Sequence, residues 1–382
     1  MNAYRDPNKR HDFVFLFDVT NGNPNGDPDA GNLPRTDPET MHGLVTDVCI
    51  KRKIRDYAAG VLGRQIFIQS ETALNTLVRE ARRAAKDKDG KPLGEPLRCD
   101  LHGAGLKEIL EANDGALSDW LLDREDFEFD PETGSLIYDG DVESLKDFEA
   151  EEFPDEVSGF AKKLAKVLAK EARGKKKKLS PEARGIVKLD MRKRYLDIRM
   201  FGAVLTAGTN FGQVRGPMQL TFATSVDPIQ PLDVSITRVA ITKPSDQARK
   251  STEMGRKAIV PYGLYRLHGF YNPLLGKEKN AKGEPEQLVS EQDLTDFWSA
   301  LKDLFTFDRS AARGEMVVRG ICVFTHECEK GNAPAHKLFE LVRVPPCGET
   351  VPRSFDDYRD SIALPKEGPL DAYPGVTVSH VA

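Results

Sequence analysis

Four cationic side chains follow one another closely in a stretch near the N-terminus whose apolar residues recur at helical spacing. They are Lys51, Arg52, Lys53 and Arg55. Lys51 and Arg55 are four residues apart and would share one helix face, where both could neutralise phosphates of a bound polyanion. The alternative is an ordinary solvated helix face, which is built from the same kinds of residue.

A loop rich in asparagine, glycine, proline and aspartate precedes this stretch. Its composition discourages both helix and strand, and therefore predicts a long structured loop. Amide groups in such a loop can bind phosphate or ribose hydroxyl groups, and a guanidinium group can pair with a phosphate. The candidates are Asn21, Asn23, Asn25 and Arg35. Ordinary turn formation is the alternative.

Residues 229–272 predict a long β-hairpin, because two β-rich arms flank a polar, helix-like span from Ser245 to Glu253. Arg238 on the first arm is expected to face a Gly-Arg-Lys step at the foot of the second arm, where a polyanion could be clamped. A methionine at that step could wedge beside a displaced base. These residues of the second arm are Met254, Gly255, Arg256 and Lys257. A solvated hairpin is the alternative.

Two smaller groups of polar residues lie near predicted strand ends. Gln213 and Arg215 belong to a glycine-bounded loop. Arg309, Arg313 and Arg319 flank the last predicted strand, where a nucleic acid or a neighbouring subunit could use them. Gln213, Arg215 and Arg313 complete the predicted polyanion-binding set.

A rival interpretation is a metal-dependent RNA-processing nuclease. Asp18, Asp27 and Asp29 surround the Gly/Asn-rich loop in the manner of a metal-binding loop, and His326 or His336 could act as a base. The EF-hand template fails, because the twelfth position of the loop is not a glutamate. No Walker loop, nucleophile elbow or HExxH motif occurs. We therefore predict a protein without catalytic residues, metal site or cofactor.

The distribution of charge along the chain says more about a nucleic-acid partner than the net charge does. The chain has 382 residues and a net charge of −5, which at first argues against a nucleic-acid partner. Residues 113–156, however, hold 17 acidic and 2 basic side chains, whereas residues 162–199 hold 15 basic and 4 acidic ones. A local cationic groove is compatible with this segregation. The acidic stretch would repel nucleic acid, and we expect it to face solvent or a protein partner.

Composition favours an ordinary globular protein of the cytoplasm. No apolar run approaches the roughly 20 residues that a membrane span needs, so no membrane contact is expected. The 5 cysteines are scattered and form no CxxC pair. This usage argues against a zinc site and favours a reduced, cytoplasmic location.

The order of predicted elements gives the fold class. The elements are strands at 11–19, 65–69, 197–205, 218–226 and 316–325, helices at 43–57, 73–86, 105–122, 157–172 and 290–306, and the hairpin. The proline-rich segment after about residue 345 predicts an irregular tail on the surface. Without the 71–185 insertion and the hairpin, the order is strand, helix, strand, strand, helix, strand. This is an α+β, ferredoxin-like or RNA-recognition (RRM-like) arrangement.

Several stretches, taken together, resemble one known family. They are NGNPNGDPDAGNLPRTD with VTDVCIKRKIRDY, DIRMFGAVL, QVRGPMQLTFATSVDPI, SITRVAITK, MGRKAIVPYGLYRLHGF, FDRSAARGEM and GNAPAHKLFELV. Their order resembles the type I-C branch of the Cas-seven family, the backbone subunits of CRISPR surveillance complexes in the RAMP superfamily. The insertion at 71–185 departs from the family, because it is longer than expected and its acidic half has no counterpart.

The resemblance implies a non-catalytic subunit shaped like a right hand. Its palm binds the backbone of the CRISPR guide RNA, and its hairpin thumb folds over the guide. Copies stack head to tail along one RNA, beside other effector subunits, and leave the guide bases exposed for target DNA. The implied parts are a palm at 1–70, 186–229 and 258–382 (which includes the C-terminal tail), helical fingers at 71–185 and a thumb at 230–257.

A third interpretation is a stand-alone RNA-binding protein of RRM-like fold. The aromatic run that marks RNA-recognition strands is missing from the predicted sheet. Mass under native conditions separates the two RNA-binding interpretations, since only a filament subunit would lengthen with the guide.

Overall fold

A computed structural model of the chain describes residues 2–72, 74–86, 90, 92–93, 97–100, 127–130, 135–138, 155–175, 180–205, 211–238, 253–279 and 284–382. The predicted helix at 105–122 and the tip of the predicted hairpin lie outside the described residues, as does most of the acidic stretch. The chain divides into two compact units. We call Met1–Ile66, Arg199–Gly202 and Arg215–Ala382 the sheet unit, and Phe67–Ile198 with Ala203–Val214 the inserted unit.

Strands and helices alternate irregularly along the described residues. The strands are β1 (His11–Gly22), β2 (Gly26–Asp27), β3 (Leu33–Pro34), β4 (His42–Val45), β5 (Leu97–Asp100), β6 (Phe127–Asp130), β7 (Ser135–Tyr138), β8 (Gly202–Leu205), β9 (Gly212–Arg215), β10 (Met218–Leu220), β11 (Ala223–Pro228), β12 (Leu232–Arg238), β13 (Glu253–Tyr271), β14 (Lys277–Lys279), β15 (Pro285–Gln287), β16 (Glu315–His326), β17 (Gly368–Pro369) and β18 (Val376–His380). The helices are α1 (Asp47–Gly60), α2 (Leu74–Ala84), α3 (Asp155–Lys175), α4 (Pro181–Arg194), α5 (Leu196–Phe201), α6 (Pro273–Gly276), α7 (Glu291–Lys302), α8 (Leu304–Phe307), α9 (Ala335–Phe339) and α10 (Asp356–Arg359).

A large antiparallel sheet forms the centre of the sheet unit. Its strand order is β17-β18-β16-β1-β13-β11-β4, and β10 and β12 also pair along the long strand β13. β1 is central, as its continuous apolar run predicts, because its first nine residues are all buried. The predicted strand at 218–226 is interrupted, since Thr221 and Phe222 separate β10 from β11.

One face of the sheet packs against helices α7 and α8. The ring of Phe13 on β1 contacts Phe297 and Trp298 edge-on, and Phe17 contacts Phe305. Burial of each such ring contributes about 2–3 kcal/mol. The apolar stripe predicted for a helix at 290–306 is confirmed, although the helix ends at Lys302 and a short second helix follows. Ser290 begins α7 with a capping box.

The other face is covered by the C-terminal segment. Val14, Leu16 and Phe324 pack against Leu338 and against neighbouring apolar residues of the C-terminal segment. β18 then joins the sheet beside β16. The prediction of an irregular surface tail after residue 345 is therefore wrong, because alternating valines near the C-terminus pair as a strand despite the many prolines around them. Both faces of β1 are covered within the described residues.

The predicted boundaries of three elements are wrong for identifiable reasons. The helix predicted from Gly43 begins only at Asp47, because His42–Val45 pairs with β11 as an edge strand and Thr46 caps the helix. The strand predicted at 65–69 does not form, since two of its N–H groups donate to the Asp197 carboxylate. Most of the strand predicted at 197–205 is helix α5.

The inserted unit has its own apolar core. α2 and α4 pack around a cluster that includes Leu77, Val78, Val187 and Met191. Helices predicted at 73–86 and 157–172 are present as α2 and α3. A charged connector between them contains strands β6 and β7, which the sequence did not predict. β7 pairs with β5 on one side and with β6 on the other. No described helix is both long and apolar enough to cross a membrane.

Candidate nucleic-acid interface

The loop after β1 is built on backbone contacts with residues 312–314. Asn21 has a left-handed conformation (φ 50°), and the N–H of Asn23 donates to the carbonyl of Ala312 at 2.8 Å. A Cβ at Gly22 would overlap the carbonyl of Arg313, so that only glycine allows this close approach. The two loops therefore form one platform at the end of β1.

Two asparagines of the loop are engaged in holding it together. The Oδ1 of Asn25 accepts hydrogen bonds from the N–H and hydroxyl of Thr46, at 3.0 and 2.9 Å, and Thr46 in turn caps α1. Asn23 donates to the carbonyl of Asn32 at 2.7 Å. Its Oδ1 is buried and has no hydrogen-bond partner among the described residues. Turn formation thus accounts for most of the polar contacts of Asn23 and Asn25.

Two of the four cations on α1 are not on a solvated face. Lys53 is only 3% exposed and pairs with Asp308, while Arg55 is 8% exposed and its guanidinium lies 5.4 Å from the centre of the Phe201 ring. The predicted polar face is therefore wrong for these two residues. Helix α1 faces both α7 and the loops and therefore has little solvated surface. The helical spacing of its apolar residues does not by itself reveal this.

The other two cations of α1 pair with acids on the same helix. Lys51 pairs with Asp47 at 2.8 Å, and Arg52 pairs with Asp56 at 2.9 Å. Lys51 is half-buried. Its ammonium also lies 5.8 Å from the centre of the Phe201 ring. Arg52 is exposed. The i, i+4 geometry that joins Lys51 to Arg55 is present, and Phe201 lies beneath both side chains.

Three cations converge on the first turn of α1. Burial raises the pKa of the Cys49 thiol, and the charges of Lys53, Arg313 and Arg35 all act in the opposite direction. Arg35 pairs with Asp27 at 3.4 Å. The Nε of Arg35 is buried and donates no hydrogen bond among the described residues. Arg35, Lys53 and Arg313 together carry one charge more than their carboxylate partners Asp27 and Asp308, so that this turn can receive an anion.

Asp308 lies within this group and was missed by the sequence reasoning. One carboxylate oxygen contacts both the Lys53 ammonium and the Nε of Arg313, the latter at 2.6 Å but without hydrogen-bond alignment. The available signal was a single acid inside the basic stretch FDRSAARG. Phe201 was also missed, because it was predicted to lie on a strand.

The predicted hairpin is present, but its register differs from the prediction. β12 pairs with the first part of β13, and Arg238 lies opposite Glu253 at the end of the described arms. The Gly-Arg-Lys step pairs with residues 234–236 instead. Arg238 was expected to face that step, and this is wrong because the register is set by pairing Leu232 with Ile259.

The two faces of the hairpin differ in chemistry. Leu232, Val234 and Ile236 share one face and are exposed. On the other face, Met254 is 84% exposed and Arg256 pairs with Asp233 at 3.1 Å. Lys257 shares the face of Val234, because the two residues are directly opposite.

The remaining candidates lie elsewhere. Gln213 and Arg215 are exposed on β9, which pairs with β8, rather than in a loop. Arg309 is exposed. Arg319 pairs with Asp18 at 2.8 Å and lies over the ring of Phe355.

The acids of the rival nuclease interpretation do not converge. Burial raises the pKa of Asp18, which accepts hydrogen bonds from Arg319 and Tyr262. Asp27 pairs with Arg35 and accepts from the N–H of Asp29. His326 donates to Asp12 and accepts from the N–H of Asn332, which occupies both ring nitrogens. Within the part of the chain that the structure describes, no three His, Cys, Asp or Glu residues are grouped as metal ligands would be.

Fold and site together define a mixed α/β protein with a large antiparallel sheet, a protruding hairpin and a cationic turn beside the central strand. The sequence model of the family described as CRISPR-associated protein Cas7 matches residues 9–122 and 143–363. The chain belongs to this family.

Individual relatives are more distant. A CRISPR-associated protein Cas7 from Haloferax volcanii is 47% identical over 47 residues, which cover 12% of this chain and 14% of that protein. A chain of a CRISPR RNA-guided surveillance complex in a pre-nicking state aligns over 82% of this chain and 78% of its own, with 18% identity and a TM-score of 0.41. A chain of another CRISPR RNA-guided surveillance complex aligns over 82% and 75%, with 15% identity and a TM-score of 0.35.

Proposed function

We propose that this member of the Cas7 family binds CRISPR guide RNA as a backbone subunit of a type I-C surveillance complex. The observation that carries the proposal is the convergence of Arg35, Lys53 and Arg313 on the first turn of α1, beside a loop platform at the end of β1. A turn whose cations outnumber their carboxylate partners suits the phosphates of an RNA backbone.

The strand order supports a ferredoxin-like palm. β16, β1, β13 and β11 lie side by side, α1 follows β1, and α7 lies in the chain between β13 and β16. An RRM of the usual kind stacks bases on an open sheet face. Here the C-terminal segment covers that face, which favours RNA binding at loops and hairpin over stand-alone base recognition.

The proposed contacts are with phosphate and sugar. A subunit that serves any guide sequence must hold the backbone and leave base edges free for target DNA. The contacts that suit this task come from accessible residues, namely Arg35, Arg52 and Arg313 near α1 and Met254, Arg256 and Lys257 on the thumb hairpin. Asn21, Asn23, Asn25 and Gly255 shape the backbone around them, and Lys53 and Arg55 hold α1 in place. Lys51, Gln213, Arg215 and Arg238 are the weaker candidates.

The partners follow from the same proposal. Copies stack head to tail along one guide, other effector subunits close the ends, and target DNA is reached through the guide bases. The subunit carries no catalytic residue, so cleavage belongs to other components. The helical and β elements of the inserted unit are the fingers. The free thiols of the described cysteines suit a reducing cytoplasm.

Substitution of two thumb cations, the exposed Arg256 and the half-buried Lys257, tests the proposal. The full chain is co-expressed with a CRISPR array, and the nucleic acid that co-purifies is analysed for type, length and repeat-derived ends. Arg256→Ala with Lys257→Ala should reduce the RNA recovered. Lys337→Ala is the matched control, because Lys337 is an exposed cation on α9 that pairs only with Glu340 among the described residues. No co-purified RNA with the wild-type chain would refute the proposed function.

A further inference from the structure

A single partly buried carboxylate links α1 to the loop platform. Lys53 comes from the middle of α1, and Arg313 comes from the loop that carries Asn23 through the carbonyl of Ala312. The same oxygen of Asp308 contacts both cations. Burial alone would raise the pKa of Asp308, but the hydrogen bond from Lys53 and the charges of Lys53 and Arg313 lower it below its ordinary value. The carboxylate is therefore ionised at neutral pH.

The Arg313 loop in turn determines the path of the loop after β1. Gly314 has a left-handed conformation (φ 61°), and a Cβ there would collide with the carbonyl of Asn21. A Cβ at Gly22 would likewise overlap the carbonyl of Arg313. Because both approaches are this close, a shift of Arg313 must also move Asn21 and Asn23.

We propose that Asp308 is a positioning residue for RNA binding: it holds the Arg313 loop against α1 and so sets the geometry of the cationic turn. This inference rests on the proposed function and deepens it. The proposed role predicts the direction in which RNA affinity changes when Asp308 loses its charge. Removal of a negative charge beside an anion site ordinarily strengthens anion binding. Here the same removal should weaken it, since two cations lose the group that orders them.

The test measures binding of a fluorescein-labelled single-stranded RNA of fixed length to the full chain over a range of salt concentrations. We expect Asp308→Asn to weaken binding on the order of tenfold. We also expect the slope of the salt dependence to fall by about 0.7, because Arg313 no longer reaches a phosphate of the single strand. Asp308→Glu keeps the charge and should restore most of the affinity. A purely structural role would reduce the folded fraction and leave the slope unchanged.

Two further variants keep the test decisive. Asp296→Asn is the control, because Asp296 is also an aspartate in an ion pair, with Arg64 at 2.6 Å, but lies on α7 and not in the loops. It should leave RNA affinity unchanged. If Asp308→Asn does not fold, the double variant Lys53→Met with Asp308→Leu removes the pair between α1 and the loop, and leaves only the partly exposed Arg313 without its carboxylate. It should fold and still bind RNA weakly.

The outcomes separate the two proposals. A wild-type chain that does not bind this RNA refutes the proposed function, and the positioning role with it. A wild-type chain that binds, together with Asp308 variants that bind equally well or more tightly at unchanged slope, overturns the positioning role alone.

Discussion

We expect the charges of Arg35 and Arg313 to interact most directly with a bound RNA. Both are half-buried. The Nε of Arg35 has no acceptor among the described residues, and Arg313 shares the Asp308 carboxylate with Lys53. Arg35→Gln and Arg313→Gln should each lower the salt slope of RNA binding by about 0.7, which is the contribution of one phosphate contact to a single strand. Fluorescence anisotropy over a salt series measures it.

An exposed arginine far from the turn provides the control for this pair. Arg343 is exposed in the C-terminal segment. Arg343→Gln changes the net charge by the same amount and should leave the slope unchanged. Equal slopes for all three variants would show that the binding responds to overall charge and not to the turn.

Residue types were easier to predict than residue surroundings. The cations on α1 and in the loops could be identified from the sequence, because charge and helical spacing are written in it. The burial of Lys53 could not be identified from the sequence. Its partner Asp308 is more than 250 positions away, and no local sequence pattern indicates the pair. Phe201, which lies beneath Lys51 and Arg55, is also far from both in the chain and was missed for the same reason.

At the level of elements, one carboxylate adds to the strand pairing and apolar packing that hold the C-terminal segment to the sheet. Asp227 accepts a hydrogen bond from the Tyr358 hydroxyl at 2.5 Å and another from the N–H of Cys347 at 3.1 Å. Tyr358→Phe should lower the free energy of unfolding by about 1–3 kcal/mol, because it leaves a buried carboxylate with one donor fewer. Urea denaturation measures the change.

A second tyrosine of the same segment serves as the control for Tyr358. Tyr373 is half-buried, and its hydroxyl makes no hydrogen bond among the described residues. Tyr373→Phe should therefore change stability by less than about 0.5 kcal/mol. If both variants were equally stable, the Asp227 contact would not hold the segment.

Elements with a strong hydrophobic pattern were predicted correctly. Elements whose structure depends on contacts with residues far away in the chain were not. β1, α7 and β16 each bury a continuous or amphipathic pattern that the sequence shows directly. The first part of the predicted strand at 197–205 is instead helical, with the Asp197 carboxylate accepting from the N–H groups of residues 67 and 68, and only Gly202–Leu205 forms a strand. β18 was missed because the prolines before it suggested an irregular tail.

The fold of the sheet unit should depend on pH through a buried histidine. Burial lowers the pKa of His11 from 6.5 to about 4, although the Asp6 carbonyl favours its charged form. Between these values the unfolded chain binds a proton that the folded chain does not, so stability is fully present above pH 6.5 and falls as pH decreases. The loss amounts to about 3 kcal/mol by pH 4.

Substitution of His11 tests this dependence. His11→Gln should make the stability profile less steep between pH 6.5 and 4, whatever its effect at pH 7. His268 contributes the remaining slope, because burial and the charge of Arg266 lower its pKa to about 4 as well. His336→Gln is the control, because His336 is exposed on α9. Denaturant midpoints across the pH range give the profile. An unchanged slope in the His11 variant would contradict the neutral buried histidine.

The whole molecule should act as a repeating unit. A head-to-tail contact joins different surfaces of each copy, so assembly continues until the template ends. On guide RNAs of increasing length, native mass spectrometry should therefore show masses that rise in steps of one 42.5 kDa chain. DNA strands of the same sequences provide the comparison, since ribose hydroxyls distinguish the two polymers. A single chain on every RNA, regardless of length, would favour the stand-alone RNA-binding interpretation and exclude the filament.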